Sequence, residues 1–200
     1  MKAIGAHAKY VLGILVLVSS TAFSQVSFAD TIAMIGTGNV GSALGKNWSQ
    51  RGHTIVYGSR NPTSESVQAL VAATGNNASA TNQAEAVIGA DVVVIAVPWE
   101  VGEQVVAALG DLSGKIVIDP TNPRDVNDEG LSVPPSIESN TEKFKKIAPD
   151  AYFAKAFNHM PASFMENPEK VPGFYVSVAG DEQAANWVSD IATDMGYTEV

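Results

Sequence analysis

A glycine-rich turn between a predicted strand and a predicted helix constrains the fold of this chain more than any other feature. The turn has the sequence Gly36-Thr37-Gly38-Asn39-Val40-Gly41, after the mostly apolar segment Thr31–Ile35. Gly36 permits a tight turn, Gly38 lets a pyrophosphate approach the backbone, and Gly41 lets the helix pack closely on the strand. Because free N–H groups at a helix N-terminus favour phosphate, the first five residues of the turn are predicted to hold a dinucleotide pyrophosphate.

The end of the next predicted strand indicates which dinucleotide the turn would bind. This strand spans His53 to Gly58 and is followed by Ser59 and Arg60. NAD-binding chains usually carry an Asp or Glu here, about twenty residues after the turn, which binds the ribose 2′-hydroxyl. A hydroxyl beside a guanidinium suits a 2′-phosphate instead. Ser59 and Arg60 are therefore predicted to select NADP(H), and the alternative is a purely structural glycine turn.

Length and composition limit the fold and the classes of function. Two hundred residues are enough for one α/β domain with a complete core. The chain carries 21 Asp and Glu against 12 Lys and Arg, a net charge of −9, which argues against binding to nucleic acid or an anionic membrane. It has no cysteine, which excludes thiol catalysis, iron–sulfur ligation and disulfides. The spacing of its three histidines indicates no metal site.

The first 29 residues have the pattern of a cleaved export signal. Lys2 and Lys9 give a weakly basic start, and Tyr10–Val18 is continuously apolar. Ser27-Phe28-Ala29 then has the pattern of a signal-peptide cleavage site. The apolar stretch is short for a membrane span of about twenty residues, so an uncleaved anchor is the less favoured alternative. We expect a signal peptide over residues 1–29, a mature domain over residues 30–200 and a periplasmic location. Without the two lysines, ten basic side chains face 21 carboxylates, a net charge of −11.

Strand and helix signals alternate along the rest of the chain. The apolar run 91–98 is typical of a strand that is covered on both faces, and Lys115–Asp119 predicts the next strand. Further strands are predicted over Tyr152–Phe157 and Phe174–Ala179, and another beginning at Tyr197. This alternation predicts a single Rossmann-type, doubly wound α/β domain with a mainly parallel sheet.

Several predicted strands end in segments that would meet at one edge of such a sheet. Open parallel sheets bind ligands beyond the carboxyl ends of their strands, where the strand order reverses. Besides the glycine turn and Ser59-Arg60, these segments are Val97–Glu100, Asp119–Pro123 and Asn158–Pro161. We predict that Val97, Pro98 and Asn158 line the nicotinamide side. Trp99 either forms a wall of the same pocket or starts the following helix.

Two titratable residues near this edge are candidates for chemistry. His159 follows the sixth predicted strand and would suit a proton donor, although a hydrogen-bonded loop histidine is the favoured interpretation. Lys155 lies inside that strand, and the sequence does not show which way its side chain points. No Ser–His–Asp order and no paired carboxylates stand out. The site is therefore predicted to position its ligands, and no catalytic residue is assigned.

The motifs together resemble a known family. They are similar to motifs of the NADPH-dependent coenzyme F-420 reductases and occur in the same order along the chain. Relatives of that family include the reductase domains of the STEAP metalloreductases. The segments concerned are Ile35–Gly41, Gly58–Arg60, Val97–Glu100 and Lys155–Asn158, and the likeness runs from about Thr31 to Val200. It implies NADPH in the glycine turn and at Ser59-Arg60, with a deazaflavin or flavin against the nicotinamide. Hydride would then pass directly between two rings, so that binding and orientation supply the rate.

Family members differ from this chain in two respects. They continue past the position of Val200 with a Gly-Pro-containing turn and a further helix, which helps to form the acceptor side and a homodimer. We expect this segment to be missing here. They also work where NADPH is abundant, whereas the leader predicts export. A small-molecule redox partner is expected, and the sequence leaves the oligomeric state open.

Two other functions fit the sequence less well. A nucleotide-binding protein without turnover is favoured by the expected export and the short C-terminus. An imine or hydroxyacid reductase would need a C-terminal helical domain with substrate residues, for which a chain ending at Val200 has no room. The predicted function is therefore hydride transfer between NADP(H) and a deazaflavin or flavin.

Overall fold

The computed structural model describes residues 29–75, 77–123, 128–129 and 138–197. Residues 1–28 of the predicted leader, and the predicted strand beyond Tyr197, lie outside this range. The described residues form one α/β domain around a single sheet.

Seven strands make up the sheet. They are β1 (Thr31–Ile35), β2 (Thr54–Gly58), β3 (Ala78–Thr81), β4 (Val92–Ile95), β5 (Ile116–Asp119), β6 (Tyr152–Ala156) and β7 (Val178–Gly180). Their order is β3-β2-β1-β4-β5-β6-β7, and all neighbours pair in parallel except β6 and β7. Strand order reverses between β1 and β4, the place where open α/β sheets bind ligands. The predicted Rossmann-type, mainly parallel fold is confirmed.

Helices connect the strands and cover both faces of the sheet. They are α1 (Asn39–Gln50), α2 (Glu65–Thr74), α3 (Gln83–Val87), α4 (Gly102–Ala108), α5 (Asn140–Ile147), α6 (Ala162–Glu166) and α7 (Glu182–Met195). Short 3-10 turns span Trp99–Val101 and Pro168–Lys170. α5 starts with a capping box, in which Ser139 and Glu142 each accept the other's backbone N–H. This cap fixes where α5 begins, directly beside the carboxyl end of β5.

The hydrophobic core has two halves, one on each face of the sheet. The first half joins the sheet to α1 and α7, and its largest side chain, Trp48, is fully buried. The Trp48 ring meets Phe157 and Trp187 edge-on, at centroid distances of 5.8 and 5.4 Å. The second half includes Phe144 and lies between the sheet and α3, α4 and α5. All four residues of β4 are buried between the two halves, which explains why its sequence is apolar without alternation.

The last strand differs from its prediction. We predicted a strand over Phe174–Ala179, but β7 starts later and runs antiparallel to β6, so parallel pairing does not extend to this edge. Gly180, with φ at 157°, lies so close to the Phe153 backbone that a side chain there would collide with it. The aromatic residues at the start of the predicted strand stack instead on the His159 ring. The sequence alone therefore placed the start of this strand too early in the chain.

A polar cluster lies at the amino ends of β1 and β2. The Asp30 carbonyl accepts the N–H of Thr54 (3.0 Å), and the Asp30 N–H donates to Nδ1 of His53 (3.2 Å). The Asp30 carboxylate accepts Nε1–H of Trp187 (2.9 Å). Burial lowers the pKa of His53, and the Asp30 carboxylate opposes this shift. We call Asp30, His53 and Trp187 the Asp30 cluster; it lies at the opposite edge from the clefts described next.

Candidate functional site

The glycines of the predicted turn have different structural roles. Gly36 has a φ of 115°, and a Cβ on it would collide with the carbonyl of Ala96. A Cβ on Gly41 would collide with the carbonyl oxygen of Gly36. Gly38 differs, because its backbone is extended (φ −78°) and a Cβ there would meet nothing within 4 Å. Gly36 and Gly41 therefore serve the packing of the turn, whereas Gly38 leaves open space in front of α1.

The N-terminus of α1 is open to an anion. Gly38 is the N-cap residue, no side chain caps the helix, and its first turn contains no acidic residue. The backbone N–H of Ser42 donates to the Gly38 carbonyl (2.8 Å), so the N–H groups before it have no partner within the helix. The helix dipole adds partial positive charge at this end. The arrangement suits a phosphate group.

Two clefts meet at the carboxyl ends of β1 and β4. The β2 cleft, about 650 Å³ in volume, is lined by Gly36, Thr37, Ser59, Arg60 and residues of α4. The β5 cleft, about 500 Å³, is lined by Asn39, Val40, Trp99 and the segments that follow β5 and β6. Both clefts share Gly38, Ala96, Val97 and Pro98 as wall residues. They therefore form one continuous trough across the point where strand order reverses.

All ten residues that the sequence nominated lie on the walls of this trough. Gly36, Thr37, Gly38, Ser59, Arg60, Val97 and Pro98 line the β2 cleft, and Gly38, Asn39, Val40, Val97, Pro98 and Asn158 line the β5 cleft. Trp99 lines the β5 cleft and also begins a 3-10 turn, so it starts the segment before α4, while its place beside a nicotinamide stays a prediction. The geometry thus brings the nominated residues together, while the role of each one stays a prediction.

Arg60 supplies positive charge to the β2 cleft. It is exposed, and no ion pair within the described part of the chain engages it. Hydroxyl groups of Ser59, Ser64 and Ser66 line the same cleft. Ser59 Oγ accepts the N–H of Asn61 at 3.2 Å, which fixes the turn after β2. A free guanidinium among hydroxyls is suited to a phosphate monoester.

His159 does not line either cleft. Its Nε2 lies 2.9 Å from the Tyr175 carbonyl, and its Nδ1 lies 3.2 Å from Oγ of Ser177. The imidazole stacks on the rings of Phe174 and Tyr175, at centroid distances of 5.7 and 5.1 Å. Both ring nitrogens therefore have partners within the fold. The geometry agrees with the hydrogen-bonded loop histidine that the sequence favoured.

Sequence reasoning missed a buried charged cluster beside the β5 cleft. Asp119, at the end of β5, is fully buried, and its Oδ1 accepts the N–H of Thr121 (2.8 Å). Its Oδ2 accepts the hydroxyl of Thr141 (2.6 Å) and lies 3.4 Å from Nζ of Lys155. Lys155 also donates to the Thr121 carbonyl (2.7 Å). Because Thr121 lines the β5 cleft, Lys155 and Asp119 hold one wall in place.

The sequence contains both charged residues of this cluster, but it does not show that they meet unless the register between β5 and β6 is known. Asp119 and Lys155 lie directly opposite each other in the β5–β6 register, although they are 36 residues apart. A further missed residue is Asn140, whose Nδ2 donates to the Trp99 carbonyl (3.0 Å). Asn122 and Asn158 also bond to each other through their side chains (3.2 Å) and join the loops after β5 and β6. The β5 cleft is therefore held by contacts between distant segments.

Phe157 joins β6 to this cleft in an uncommon backbone conformation. Its φ is 62°, the one positive φ among the described non-glycine residues. Such a conformation costs about 1–3 kcal/mol, so the surroundings must hold it. The fully buried ring of Phe157 packs against Trp48 and provides that support. The chain turns sharply here, which places Asn158 on the wall of the β5 cleft.

Two further properties of the described residues bear on function. No cluster of three or more His, Asp or Glu side chains among them is arranged to hold a metal ion. Within the same residues, no helix has the length and apolar character that crossing a membrane requires.

Comparison with known proteins shows which family the chain resembles. Residues 31–123 match the model of the family described as NADP oxidoreductase, coenzyme F420-dependent. The resemblance inferred from the sequence motifs is thereby confirmed, and the matched residues are similar to a family of NADP-dependent oxidoreductases.

Relatives of known sequence and structure agree with this assignment. The metalloreductase STEAP3 of Rattus norvegicus is 29% identical over 171 residues, which cover 85% of this chain and 33% of that protein. The chain thus spans about a third of the length of this relative. A crystal structure from Arthrobacter sp. FB24, provisionally described as an F420-dependent NADP reductase, is 25% identical with a TM-score of 0.77. The match covers 86% of this chain and 83% of that one.

Two more solved structures define how far the likeness extends. A hypothetical protein from Sinorhizobium meliloti is 27% identical with a TM-score of 0.72, over 86% of this chain and 83% of that one. A reductive aminase from Aspergillus terreus, solved with NADPH, is 18% identical with a TM-score of 0.61. That match covers 86% of this chain but 54% of the aminase, and it shows a shared fold alone.

Proposed function

We propose that this chain binds NADP(H) and passes hydride between its nicotinamide ring and a deazaflavin or flavin. One observation carries the proposal: the two clefts form a continuous trough that crosses the open N-terminus of α1 at Gly38. A dinucleotide laid along this trough would have its 2′-phosphate near Arg60 and its pyrophosphate at Gly38. Its nicotinamide would then enter the β5 cleft.

The adenosine end of the cofactor fits the β2 cleft by charge. The protein has a net charge of −9, so a cofactor with several phosphates needs local positive charge. Arg60 and the α1 N-terminus are the sources of this charge on the walls of the trough. Ser59 adds a hydroxyl next to the guanidinium. This chemistry favours a 2′-phosphate over the free 2′-hydroxyl of NAD(H).

The nicotinamide end fits the β5 cleft by the apolar and amide side chains of its wall. Pro98 and Trp99 supply stiff or flat apolar walls, and Asn39 and Asn158 supply amides that can bind a carboxamide. Bound NADPH supplies a hydride at its nicotinamide. Transfer to a second ring needs close, parallel placement and no general acid from the protein. This matches a cleft where, among the described wall residues, no histidine or lysine is found.

The experiment is a titration followed by a turnover assay. The domain is titrated with NADPH and NADH, and NADPH oxidation is then followed by absorbance with riboflavin, FMN, coenzyme F-420 and a cyclic imine. Preferential NADPH binding with oxidation by a flavin or deazaflavin supports the proposal. Stoichiometric binding without oxidation by any acceptor would indicate a nucleotide-binding protein without turnover. Oxidation by the imine alone would indicate an imine reductase.

We also propose that the chain is exported and cleaved before Asp30. The leader pattern of residues 1–29 is the basis of this proposal, and the contacts of the Asp30 cluster support a domain boundary at the same place. Cell fractionation followed by N-terminal sequencing tests it. A terminus at or near Asp30 in the periplasmic fraction is expected. An intact Met1 on cytoplasmic protein would contradict export, but it would leave the proposed reaction untouched.

A further inference from the structure

We propose that Lys155 is a positioning residue for the hydride transfer, because it holds two walls of the β5 cleft at a fixed separation. This inference rests on the proposed function, since it concerns the geometry of that reaction. Lys155 is not itself among the described wall residues of the cleft. It acts through Thr121 and Trp99, which both line the cleft.

The first wall that Lys155 holds is the segment after β5. Its Nζ donates to the Thr121 carbonyl at 2.7 Å and lies 3.4 Å from the Asp119 carboxylate. Asp119 is fully buried, and its other oxygen accepts the Thr121 N–H at 2.8 Å. The backbone N–H and carbonyl of Thr121 are thus bonded to the two partners of one ion pair. Charge-assisted hydrogen bonds of this kind are strong, and they fix the position of Thr121.

The second wall is the Trp99 indole. Nζ of Lys155 lies 5.9 Å from the centroid of this ring, within the range of a cation–π contact, and Nζ of Lys143 approaches it to 5.8 Å. The Trp99 carbonyl accepts Nδ2 of Asn140 at 3.0 Å, and the same nitrogen lies 3.3 Å from Oγ1 of Thr121. Lys155 and Asn140 therefore join the two walls, although one wall follows β4 and the other follows β5.

The distance between these walls matters for a transfer between two rings. A hydride passes with both electrons from the nicotinamide to the acceptor ring, and solvent supplies the proton that completes the reduction. The reacting atoms must approach to about 3–3.5 Å, and a misplacement of about 1 Å can slow such a step about a hundredfold. The phosphates of NADPH are assigned to the β2 cleft and the α1 N-terminus. Loss of Lys155 should therefore slow the transfer far more than it weakens cofactor binding.

A second lysine with the same kinds of contact lies at the other end of β6. Nζ of Lys145 is 2.8 Å from the Asp181 carboxylate and donates to the Ala151 carbonyl at 2.7 Å. It also lies 5.8 Å from the centroid of the Phe153 ring. Like Lys155, it contacts a carboxylate, a backbone carbonyl and an aromatic ring. Neither Lys145 nor these partners are among the described wall residues of the two clefts, so Lys145 is a matched control for a purely structural role.

The kinetic test measures NADPH affinity and turnover with FMN and coenzyme F-420 as acceptors. Lys155→Met should lower kcat about ten- to a hundredfold and leave the Kd for NADPH little changed. Lys145→Met should lower stability but leave kcat as in the wild type. Lys155→Arg keeps the cation and should restore part of the lost kcat. Equal falls of kcat in the two Met variants, or no fall in Lys155→Met, would overturn the inference.

The variants are compared at a temperature at which circular dichroism shows each of them to be folded. If Lys155→Met does not fold, the double variant Asp119→Asn, Lys155→Met takes its place, because it leaves no unpaired buried carboxylate. The same loss of kcat is expected from it, and wild-type turnover in the double variant would count against a positioning role.

A second test needs no turnover, because Trp99 reports on its own surroundings. Fluorescence of each variant is measured with and without the further substitution Trp99→Phe, and the difference separates Trp99 from Trp48 and Trp187. Lys155→Met should make Trp99 more accessible to quenching by acrylamide, whereas Lys145→Met should not. Unchanged quenching of Trp99 in Lys155→Met would contradict its role in holding this wall.

The two tests distinguish this inference from the proposed function. If neither acceptor oxidises NADPH in the wild type, hydride transfer to a flavin or deazaflavin is refuted, and quenching still decides whether Lys155 holds the Trp99 wall. If the wild type turns over but Lys155→Met matches Lys145→Met in kcat and quenching, the proposed function stands and the positioning role is refuted.

Discussion

The two clefts of the trough are built in different ways. The β2 cleft takes its guanidinium and its serine hydroxyls from one short stretch, 59–66, which follows β2 directly. The β5 cleft is assembled from the ends of β1, β4, β5 and β6, and it is held by Lys155, Asp119, Asn140 and the Asn122–Asn158 pair. A binding wall encoded by neighbouring residues can be changed locally. A wall that depends on contacts between distant segments is coupled to the stability of the fold.

The largest expected effect concerns Gly38, which both clefts share. Gly38→Val should abolish NADPH binding, a loss of roughly a hundredfold or more in affinity, because the side chain would fill the space of the pyrophosphate. The fold should be spared, since the backbone is extended there and a Cβ would touch nothing within 4 Å. Circular dichroism should match the wild type. NADPH should no longer raise the melting temperature, and a retained shift would place the phosphate site elsewhere.

Arg60 tests the β2 cleft alone. Arg60→Ala removes a charge-assisted contact worth roughly 1.5–3 kcal/mol, which is about ten- to a hundredfold in affinity for NADPH. Affinity for NADH, measured by the same calorimetric titration, should barely change and serves as the internal control. Stability should also stay the same, because Arg60 is exposed and no described ion pair involves it. Equal affinity of the wild type for both cofactors would refute this specificity.

Lys155 tests whether the β5 cleft is coupled to stability. Lys155→Met leaves the buried Asp119 carboxylate without its cation and should lower the free energy of unfolding by about 2 kcal/mol. The double variant Asp119→Asn, Lys155→Met should recover part of this loss. Lys146→Met, which breaks a solvent-exposed ion pair with Glu138, is the control and should have a much smaller effect. Denaturant unfolding measures the free energy of unfolding of all three variants. Equal losses in the two single variants would contradict the coupling between the β5 cleft and the stability of the fold.

The smallest effect concerns His53, which belongs to neither cleft. Burial lowers its pKa in the folded state, an effect that Asp30 and Asp194 partly oppose and Arg51 reinforces. Above about pH 6.5 the imidazole is neutral in both states; as pH falls, the unfolded chain binds the proton first. Stability should therefore decline as pH drops through and below this value.

His53→Gln isolates this contribution. The variant should lose part of the acid dependence of the melting temperature between about pH 7 and pH 5. Its preference for NADPH over NADH should equal that of the wild type, because the Asp30 cluster lies at the opposite edge of the sheet. An identical pH profile in the variant would show that another group causes the acid sensitivity.

How much the sequence predicts follows from the same contrast between the clefts. The glycine turn and Ser59-Arg60 act through residues adjacent in the chain, so their placement could be predicted from spacing. The Asp119–Lys155 pair becomes visible only when the β5–β6 register is known. Periodicity also failed for β7, because the aromatic residues at 174–175 stack on His159 rather than joining the sheet. Local patterns predicted the turn and most strands, and long-range pairing decided the rest.

The contacts of Asp30 have a practical consequence for preparing this protein. A chain starting at Thr31 would lose the carbonyl that binds Thr54 and the carboxylate that binds the Trp187 indole. That partly buried indole N–H would then lack its partner. Preparations with ragged N-termini would consequently be mixtures of molecules with different melting temperatures. The exact first residue of a purified sample therefore has to be verified by mass before stabilities are compared.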